Sequence, residues 1–345
     1  MIYSKLYLED LKKAIKVVPN IKSLSDNRIL VTGATGLIGS ALIDFLMIAN
    51  DEFNLNNSLY IGARNFNKVQ ARFGNMLERK YLSFFPYNAI KPIKTNINFD
   101  YIIHAASPAN PSLYATQPVE TMLANFEGLA NIFKYAKEHH SKMVCYISSS
   151  EVYGKKNDAT PYSETDYCFL DILNSRACYP SSKRAAETLL VSYLNEYNVP
   201  GIIVRPGHVF GPTLTSEDTR ASSIFFTDVL NGKDIIMKSE GLQLRSYCYV
   251  VDAVSAIITI ILNGHYGQAY NISNPNSIVT IRQFAMEISR QAGREIKFEV
   301  PSEIEKKSYN LMDNSSLTSK KLESLGWKPV FDITTAIEHT LQILK

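Results

Sequence analysis

Three glycines at three-residue spacing, in Thr32-Gly33-Ala34-Thr35-Gly36-Leu37-Ile38-Gly39, stand between an apolar run, Arg28–Val31, and a helical pattern, Leu37–Ile48. A chain that leaves a buried strand through so short a turn and enters a helix at once has few options. The helix packs back on the strand it left, and the next strand lies parallel to the first. Glycine here lets the backbone turn tightly and come close to a pyrophosphate. The helix start adds unpaired N–H groups and the positive end of its dipole. Gly33, Thr35, Gly36, Leu37, Ile38 and Gly39 are therefore expected to hold the phosphates of a dinucleotide.

The first half keeps this rhythm. Ser58–Gly62, Tyr101–His104, Met143–Ile147 and Gly201–Arg205 read as strands, and Asn125–Glu138 and Ser181–Tyr197 as helices. Such alternation predicts an α/β fold: a Rossmann-type doubly wound parallel sheet, covered on both faces. At 345 residues the chain exceeds what one compact core needs, so a second, smaller domain is expected. After Pro206 the pattern loosens into loops with Gly211-Pro212, Gly232 and Gly241, which reads as an α+β substrate-binding region closing on a last helix, Thr334–Leu344. Tyr249-Val250-Val251-Asp252 and the helix after it look like one more strand–helix unit of the main sheet. The expected division is a helical extension over 1–27, a dinucleotide-binding domain over 28–205 with about 246–272, and a second domain over 206–245 and 273–345. In the extension, Leu8, Leu11, Ile15 and Val18 have the spacing of an amphipathic helix packed outside the first domain.

With 36 basic and 33 acidic residues, the chain lacks the basic excess of a nucleic-acid binder, although a local basic pocket for a phosphorylated substrate fits this balance. No apolar run is long enough to span a bilayer, and the N-terminal segment carries acidic residues and no apolar core of the secretory kind. Cys145, Cys168, Cys178 and Cys248 form no C-x-x-C pair and no cluster of zinc spacing. Reduced thiols, a cytoplasmic setting and no metal are expected.

Two places speak to chemistry. In Tyr179-Pro180-Ser181-Ser182-Lys183 the tyrosine and lysine lie on one helical face. An ammonium beside a phenol favours the phenolate, so the Tyr179 pKa is expected to fall toward working pH. Such a tyrosine takes a proton from a hydroxyl while hydride leaves the same carbon. Ser149, just beyond Met143–Ile147, can hydrogen-bond the same oxygen. The other place is the end of the second strand, where NAD readers carry an acid for the ribose. Ile61-Gly62-Ala63-Arg64-Asn65 has no carboxylate there, and Arg64 suits a 2′-phosphate, so NADP stays open beside NAD.

With the glycine turn, Ser149 and the Tyr179/Lys183 pair in this order, the chain resembles the extended short-chain dehydrogenase/reductases, the group of NAD-dependent nucleotide-sugar epimerases, dehydratases and decarboxylases. His104-Ala105-Ala106-Ser107, Ser148–Gly154, Arg205-Pro206 with Gly211-Pro212, and Leu325-Gly326-Trp327 extend the likeness from Arg28 to the C-terminus. Within the group it is most similar to the UDP-glucuronate decarboxylase type. Ser107-Pro108-Ala109 with Pro111 and Tyr114, Ser149-Ser150-Glu151-Val152-Tyr153-Gly154, and Arg176-Ala177-Cys178-Tyr179 with Lys183-Arg184 and Ala186-Glu187-Thr188 resemble its segments. The resemblance implies NAD as cofactor, with Ala105, Ala106, Tyr179 and Lys183 along it. It implies a nucleotide-sugar substrate against Ser107, Tyr114, Ser150, His208, Arg220 and Arg245. Catalysis falls to Ser149, Tyr179, Lys183 and Glu151. It further implies a homodimer through helices around Val119–Lys137 and Ser181–Tyr197, and synthesis of surface-polysaccharide sugar donors.

Three departures bear on the reaction. Ser150 stands where 4,6-dehydratases carry an Asp before the Glu, His208 replaces the group's usual Asn, and Ser308-Tyr309-Asn310-Leu311-Met312-Asp313 lacks the arginine that decarboxylases place ahead of Leu-Gly-Trp. The expected chemistry is oxidation at C4 to a transient ketone and decarboxylation of a UDP-glucuronate-like sugar. A 4-epimerase is the first alternative, then a 4,6-dehydratase or an NADP-linked keto-sugar reductase. A non-catalytic NAD-binding scaffold is the alternative of another class, against which the complete Ser/Tyr/Lys set argues.

Overall fold

The computed structural model describes residues 3–156, 158–302, 309–310 and 312–345. Six strands of the first half, β1 (Arg28–Thr32), β2 (Ser58–Ala63), β3 (Leu82–Pro86), β4 (Tyr101–His104), β5 (Met143–Ile147) and β6 (Gly201–Pro206), lie side by side in the order 3-2-1-4-5-6. All pair in parallel. Their side chains alternate between two cores. Ile29, Val31, Ile103, Cys145, Ile202 and Val204 face one, while Leu30, Ile102, Val144 and Ile203 face the other. A strand buried on both faces reads as a continuous apolar run, and that made these strands legible. The less apolar β3 was not expected.

Helices cover both faces. α1 (Lys5–Lys16) precedes the sheet, α2 (Leu37–Phe53) follows β1, and α3 (Phe66–Phe73) follows β2. After β4 come α4 (Pro111–Thr116) and α5 (Pro118–Glu138), and α6 (Cys178–Tyr197) leads into β6. α5 starts at Pro118 rather than Asn125, since proline suits the first turn of a helix. α1 is the packing helix that its apolar spacing implies, lying against α2. Its buried face runs through Tyr7, Leu11, Ala14 and Ile15, and includes Asp10. Tyr7 donates to Asp44 at 2.8 Å, and Asp10 accepts the Tyr249 hydroxyl at 3.0 Å.

Beyond β6 the chain forms β7 (His208–Phe210), α7 (Ala221–Leu230), β8 (Ile235–Met237), β9 (Leu244–Tyr249) and α8 (Val250–Asn263), then β10 (Ala269–Ile272), which joins the main sheet beside β6. β11 (Ile278–Thr280), α9 (Ile281–Ala292), β12 (Ile296–Phe298), β13 (Asn314–Ser315) and a last helix, Ile333–Leu344, follow. One expectation is corrected here. β9 does not belong to the main sheet; it pairs with β7, β11 and β13 in a second one. Pro206-Gly207 carries the chain straight from β6 into β7, and β9 lies so close that a Cβ on Gly207 would stand 2.6 Å from the Ser246 oxygen. α8 does pack against α2 and β6. The expected strand Tyr249–Asp252 is thus the last residue of β9, in the second layer, followed by the first turn of α8, in the first. Trp327 is fully buried and donates to Ser255 of α8 at 2.9 Å, and Asp252 accepts the Val330 and Phe331 N–H groups. These contacts fasten the Leu-Gly-Trp turn to the main sheet. Among the described residues no helix is long and apolar enough to cross a membrane.

Candidate active site

In a doubly wound sheet the ligand crevice opens at the C-terminal ends of the strands where the order reverses, here between β1 and β4. Gly33 turns the chain there with φ +66°, and a Cβ on it would stand 2.6 Å from the Ala105 oxygen. A Cβ on Gly39 would meet the Gly33 oxygen at 2.2 Å. These two glycines allow the turn and the close seating of α2. Gly36 differs: a Cβ there meets nothing nearer than 3.4 Å, so this glycine leaves space for a ligand. As N-cap of α2 it offers no side-chain cap, and the first turn has no acid. The amides of Leu37 and Ile38, beside the partly exposed Thr35, form a cradle for an anion. Ala105 and Ala106 close the β4 side, where Thr32 Oγ1 accepts the Ala106 N–H at 3.3 Å and lies 2.8 Å from His104 Nδ1. These residues fit the pyrophosphate of a dinucleotide.

α6 brings Tyr179 and Lys183 to this crevice, and the loop after β5 brings Ser149. The Ser149 and Tyr114 side chains lie close enough to the Tyr179 phenol to pull its pKa down, and the Tyr114 and Tyr179 rings stack with centroids 4.5 Å apart. Ser149 also accepts the Glu151 N–H at 3.2 Å, capping the short turn Ser150–Tyr153. The buried Lys183 donates through Nζ to the Ile147 oxygen at 2.7 Å, and Nζ lies 5.7 Å from the Tyr179 ring centre.

The electrostatics overturn one expectation. Burial, then the negative charge of Glu151, pushes the Tyr179 phenol up to about 12. Burial pushes Lys183 down to about 7, leaving it about half neutral at neutral pH. A lysine desolvated this far and turned to a backbone carbonyl leaves the resting phenol protonated. The Tyr179 pKa therefore rises rather than falls. The downward pulls come from the Ser149 and Tyr114 side chains and the charge of Arg220.

Around this centre the charges are mostly paired. Arg176 grips Glu151 at two points, Nη1–Oε2 3.1 Å and Nη2–Oε1 3.2 Å, and lies over the Tyr114 ring. Ser150 is buried beside them. A pocket of about 90 Å³ opens next to the pair, walled by Phe169, Leu170, Ala177, Pro180 and Met312. Arg220 is bound by Asp218. Arg245 is different. It is 3 % exposed, forms no ion pair with any described residue, and donates to the Leu244 oxygen at 2.9 Å. His208 has a buried Nδ1 without a partner. Burial, then the charges of Arg245 and Arg220, holds this imidazole far below its ordinary pKa and therefore neutral. A buried guanidinium with no counter-ion is costly, and beside an unpaired ring nitrogen it makes a receptor for an anion.

The expected residues thus converge, with two exceptions. Arg64 is exposed at the end of β2, apart from the cluster around Tyr179. The arginine-free stretch Ser308–Asp313 lies partly outside the described residues (Ser308 and Leu311), while Asn310 and Met312 line the pocket. Two supporting networks were missed. Glu187 binds Arg205 at two points, 3.0 and 2.6 Å, and accepts the Ser148 hydroxyl, while Arg205 donates to the Tyr153 hydroxyl at 3.0 Å. Ser107 donates to Asn125 at 2.6 Å, and Asn125 to Ser182 at 3.0 Å, joining α5 to α6 beneath Tyr179. Glu187 and Arg205 both sit in segments singled out for their likeness to known enzymes, but nothing in their spacing says that they pair.

The model of the NAD dependent epimerase/dehydratase family matches residues 29–273. UDP-glucuronic acid decarboxylase 1 of Xenopus tropicalis is 29 % identical over 334 residues, spanning 95 % of this chain and 75 % of that protein. UDP-glucuronic acid decarboxylase 6 of Arabidopsis thaliana is 29 % identical over 305 residues, with 88 % and 85 % covered. Among solved structures, a UDP-glucose 4-epimerase from Thermotoga maritima superposes with a TM-score of 0.77 at 20 % identity, covering 92 % of this chain and 98 % of that one. A dTDP-glucose 4,6-dehydratase from Streptomyces venezuelae, solved with NAD bound, gives 0.78 at 20 % identity, covering 92 % and 96 %. The solved structures share the fold. The family match runs through the glycine turn, Ser149, Tyr179 and Lys183 to the last strand of the main sheet, and the chain belongs to the NAD dependent epimerase/dehydratase family, a family of NAD-dependent enzymes.

Proposed function

We propose that this enzyme oxidises C4 of a nucleotide-sugar to a transient ketone and decarboxylates a UDP-glucuronate-like substrate. The observation that carries the nucleotide-sugar reading is the placement of Ser149, Tyr179 and Lys183 near Arg245, a buried guanidinium bound only to backbone carbonyls and lacking a counter-ion among the described residues, and near the unpaired His208 Nδ1. The likeness to UDP-glucuronic acid decarboxylases along most of the chain supports a carboxylate on the sugar.

NAD, held at the glycine turn, supplies the two-electron acceptor. Tyr179 takes the proton of the C4 hydroxyl, and Ser149 donates to the oxygen as it becomes a carbonyl. Lys183 in its charged form stabilises the phenolate. The 4-ketone turns a C5 carboxylate into a β-keto acid. Its C–C bond breaks, carbon dioxide leaves, and the electron pair moves onto the C4 oxygen as an enolate, which the Ser149 and Tyr179 hydroxyls hydrogen-bond. A solvent proton added at C5 restores the ketone, and Tyr179 returns its proton as the hydride removed in the first step goes back to C4. Arg176 neutralises Glu151, so an anionic sugar can approach. Arg245 and His208 receive the diphosphate.

A second reading, 4-epimerisation, is favoured by one feature: the two-point grip of Arg176 leaves Glu151 a positioning group rather than a free acid for C5. Mass spectrometry of UDP-glucuronate incubated with protein and NAD⁺ tests both. Loss of carbon dioxide is the expected result. Unchanged mass with the NMR signals of a 4-epimer establishes the second reading, and untouched substrate overturns the sugar assignment.

The assembly we propose is a homodimer through α5 and α6. Val119, Met122, Leu123 and Phe126 form a stripe along α5, each at least 42 % exposed, and Tyr197 ends α6 on the surface. A stripe with this spacing on a long surface helix is a packing face without its partner. Light scattering showing a monomer at micromolar concentration would count against it.

A further inference from the structure

The end of β2 has the wrong charge for an NAD site. Arg64 is exposed there, Lys68 lies in the first turn of α3, and the strand offers no carboxylate. A carboxylate nevertheless arrives from elsewhere. Glu217, 149 residues further along, makes an ion pair with Lys68, and the charge of Arg64 acts on it too. Its loop is held independently of that pair. Thr213 Oγ1 donates to the oxygen of Leu37, the first residue of α2, at 2.8 Å; Asn110 Nδ2, from the loop after β4, donates to the Glu217 backbone oxygen at 2.8 Å; and Thr219 donates to the Asn110 side chain. Residues 213–220 therefore form a strap from the second half of the chain, tied at the start of α2, at the loop after β4 and at α3.

In dinucleotide sites an acid at the end of the second strand accepts the hydroxyls of the adenosine ribose, and a cation there takes a 2′-phosphate instead. We propose that Glu217 supplies the carboxylate that β2 lacks, so that the strap makes the site select NAD over NADP. Glu217 accepts from the ribose hydroxyls and, by engaging Arg64 and Lys68, denies both cations to a 2′-phosphate that its own charge repels. The proposal rests on the ribose lying at the end of β2, where the glycine turn directs it.

Glu217→Gln keeps the side-chain shape and both backbone anchors. Calorimetric titration of nucleotide-free wild type and variant with NAD⁺ and NADP⁺ reads the effect on binding alone. The variant is expected to bind NADP⁺ about tenfold more tightly than wild type and NAD⁺ several-fold more weakly. The NADP⁺ gain should shrink at high salt and shrink again when Arg64→Ala is added, Lys68 remaining. Wild type that binds NAD⁺, with a variant that binds both nucleotides as wild type does, overturns the proposal and leaves the dinucleotide site standing. Wild type that binds neither overturns the ribose placement and the proposal with it. A gain undiminished by Arg64→Ala overturns the role given to Arg64.

Discussion

The two walls of the crevice are built by different means. The β1–β6 wall comes from short contiguous stretches: one glycine turn supplies the anion cradle, and one turn of α6 carries both Tyr179 and Lys183. The opposite wall gathers single residues from scattered segments. His208 comes from β7, Glu217 and Arg220 from the strap, Arg245 from β9, and Met312 from the stretch before β13. Backbone geometry decides the first wall and side-chain pairing across long separations decides the second. The first is therefore fixed by the fold, while the second depends on which side chains the scattered segments bring together.

If chemistry belongs to the contiguous wall and binding to the scattered one, two substitutions should separate them. Tyr179→Phe removes the proton acceptor and should lower kcat by roughly 10²–10⁴ while leaving NAD⁺ affinity within about twofold. Arg245→Met should instead raise KM by about tenfold or more with a smaller loss in kcat, because an anion receptor holds substrate and transition state alike. Steady-state kinetics with the substrate identified by mass spectrometry decide it. Equal loss in kcat from both variants would erase the distinction between the walls.

The next effect lies on stability. Glu187 and Arg205 form a two-point ion pair that is nearly buried, and removing one partner strands the other. Glu187→Ala should cost about 3–5 kcal/mol in chemical denaturation, whereas Glu151→Ala, which removes a carboxylate more exposed than Glu187, should cost less. Reversal of that order would mean that the Glu151–Arg176 pair, and not Glu187–Arg205, braces the site.

A smaller contrast tests the glycines one by one. Gly33→Ala combines a left-handed φ with a clash against backbone, so it should destabilise by roughly 1–3 kcal/mol or more. Gly36→Ala meets nothing nearer than 3.4 Å and should leave stability nearly unchanged while weakening NAD⁺ binding. Thermal melts with and without NAD⁺ distinguish a folding glycine from a ligand glycine within one motif.

What was legible follows the same division. The strand runs Tyr101–His104 and Met143–Ile147 were readable to the residue because both faces are buried. The glycine turn was readable because no other residue tolerates φ +66° against the Ala105 backbone. The run Tyr249–Asp252 was misread because buried residues in a row record burial but neither the sheet that β9 joins nor that α8 already starts at Val250. The fall expected for the Tyr179 pKa failed for a related reason. Four-residue spacing puts a lysine near a tyrosine, but it does not report how deeply both are buried or that Nζ turns to Ile147. Glu217 was invisible because its meaning lies in Lys68 and Arg64, far away in the chain.

That burial has a kinetic signature. In the free protein the working pair is a Tyr179 phenolate beside a Lys183 ammonium, with the phenol at about 12 and the ammonium at about 7. Below the lysine value, each unit of pH raises the phenolate fraction tenfold while the lysine stays charged, so log kcat/KM should climb with unit slope. Above about 7 the phenolate still gains tenfold per unit, but the ammonium loses tenfold, and the product levels off until the phenol itself titrates. Had the lysine kept its ordinary 10.5, the climb would continue to that pH. The profile of kcat/KM should therefore bend near pH 7, well below the ordinary range of either group. Lys183→Arg, whose charge persists across the range, should remove the bend and let the rise run on. A bend that stays put in that variant would assign it to another group facing the substrate, and the desolvated lysine would no longer set the pH at which this site works.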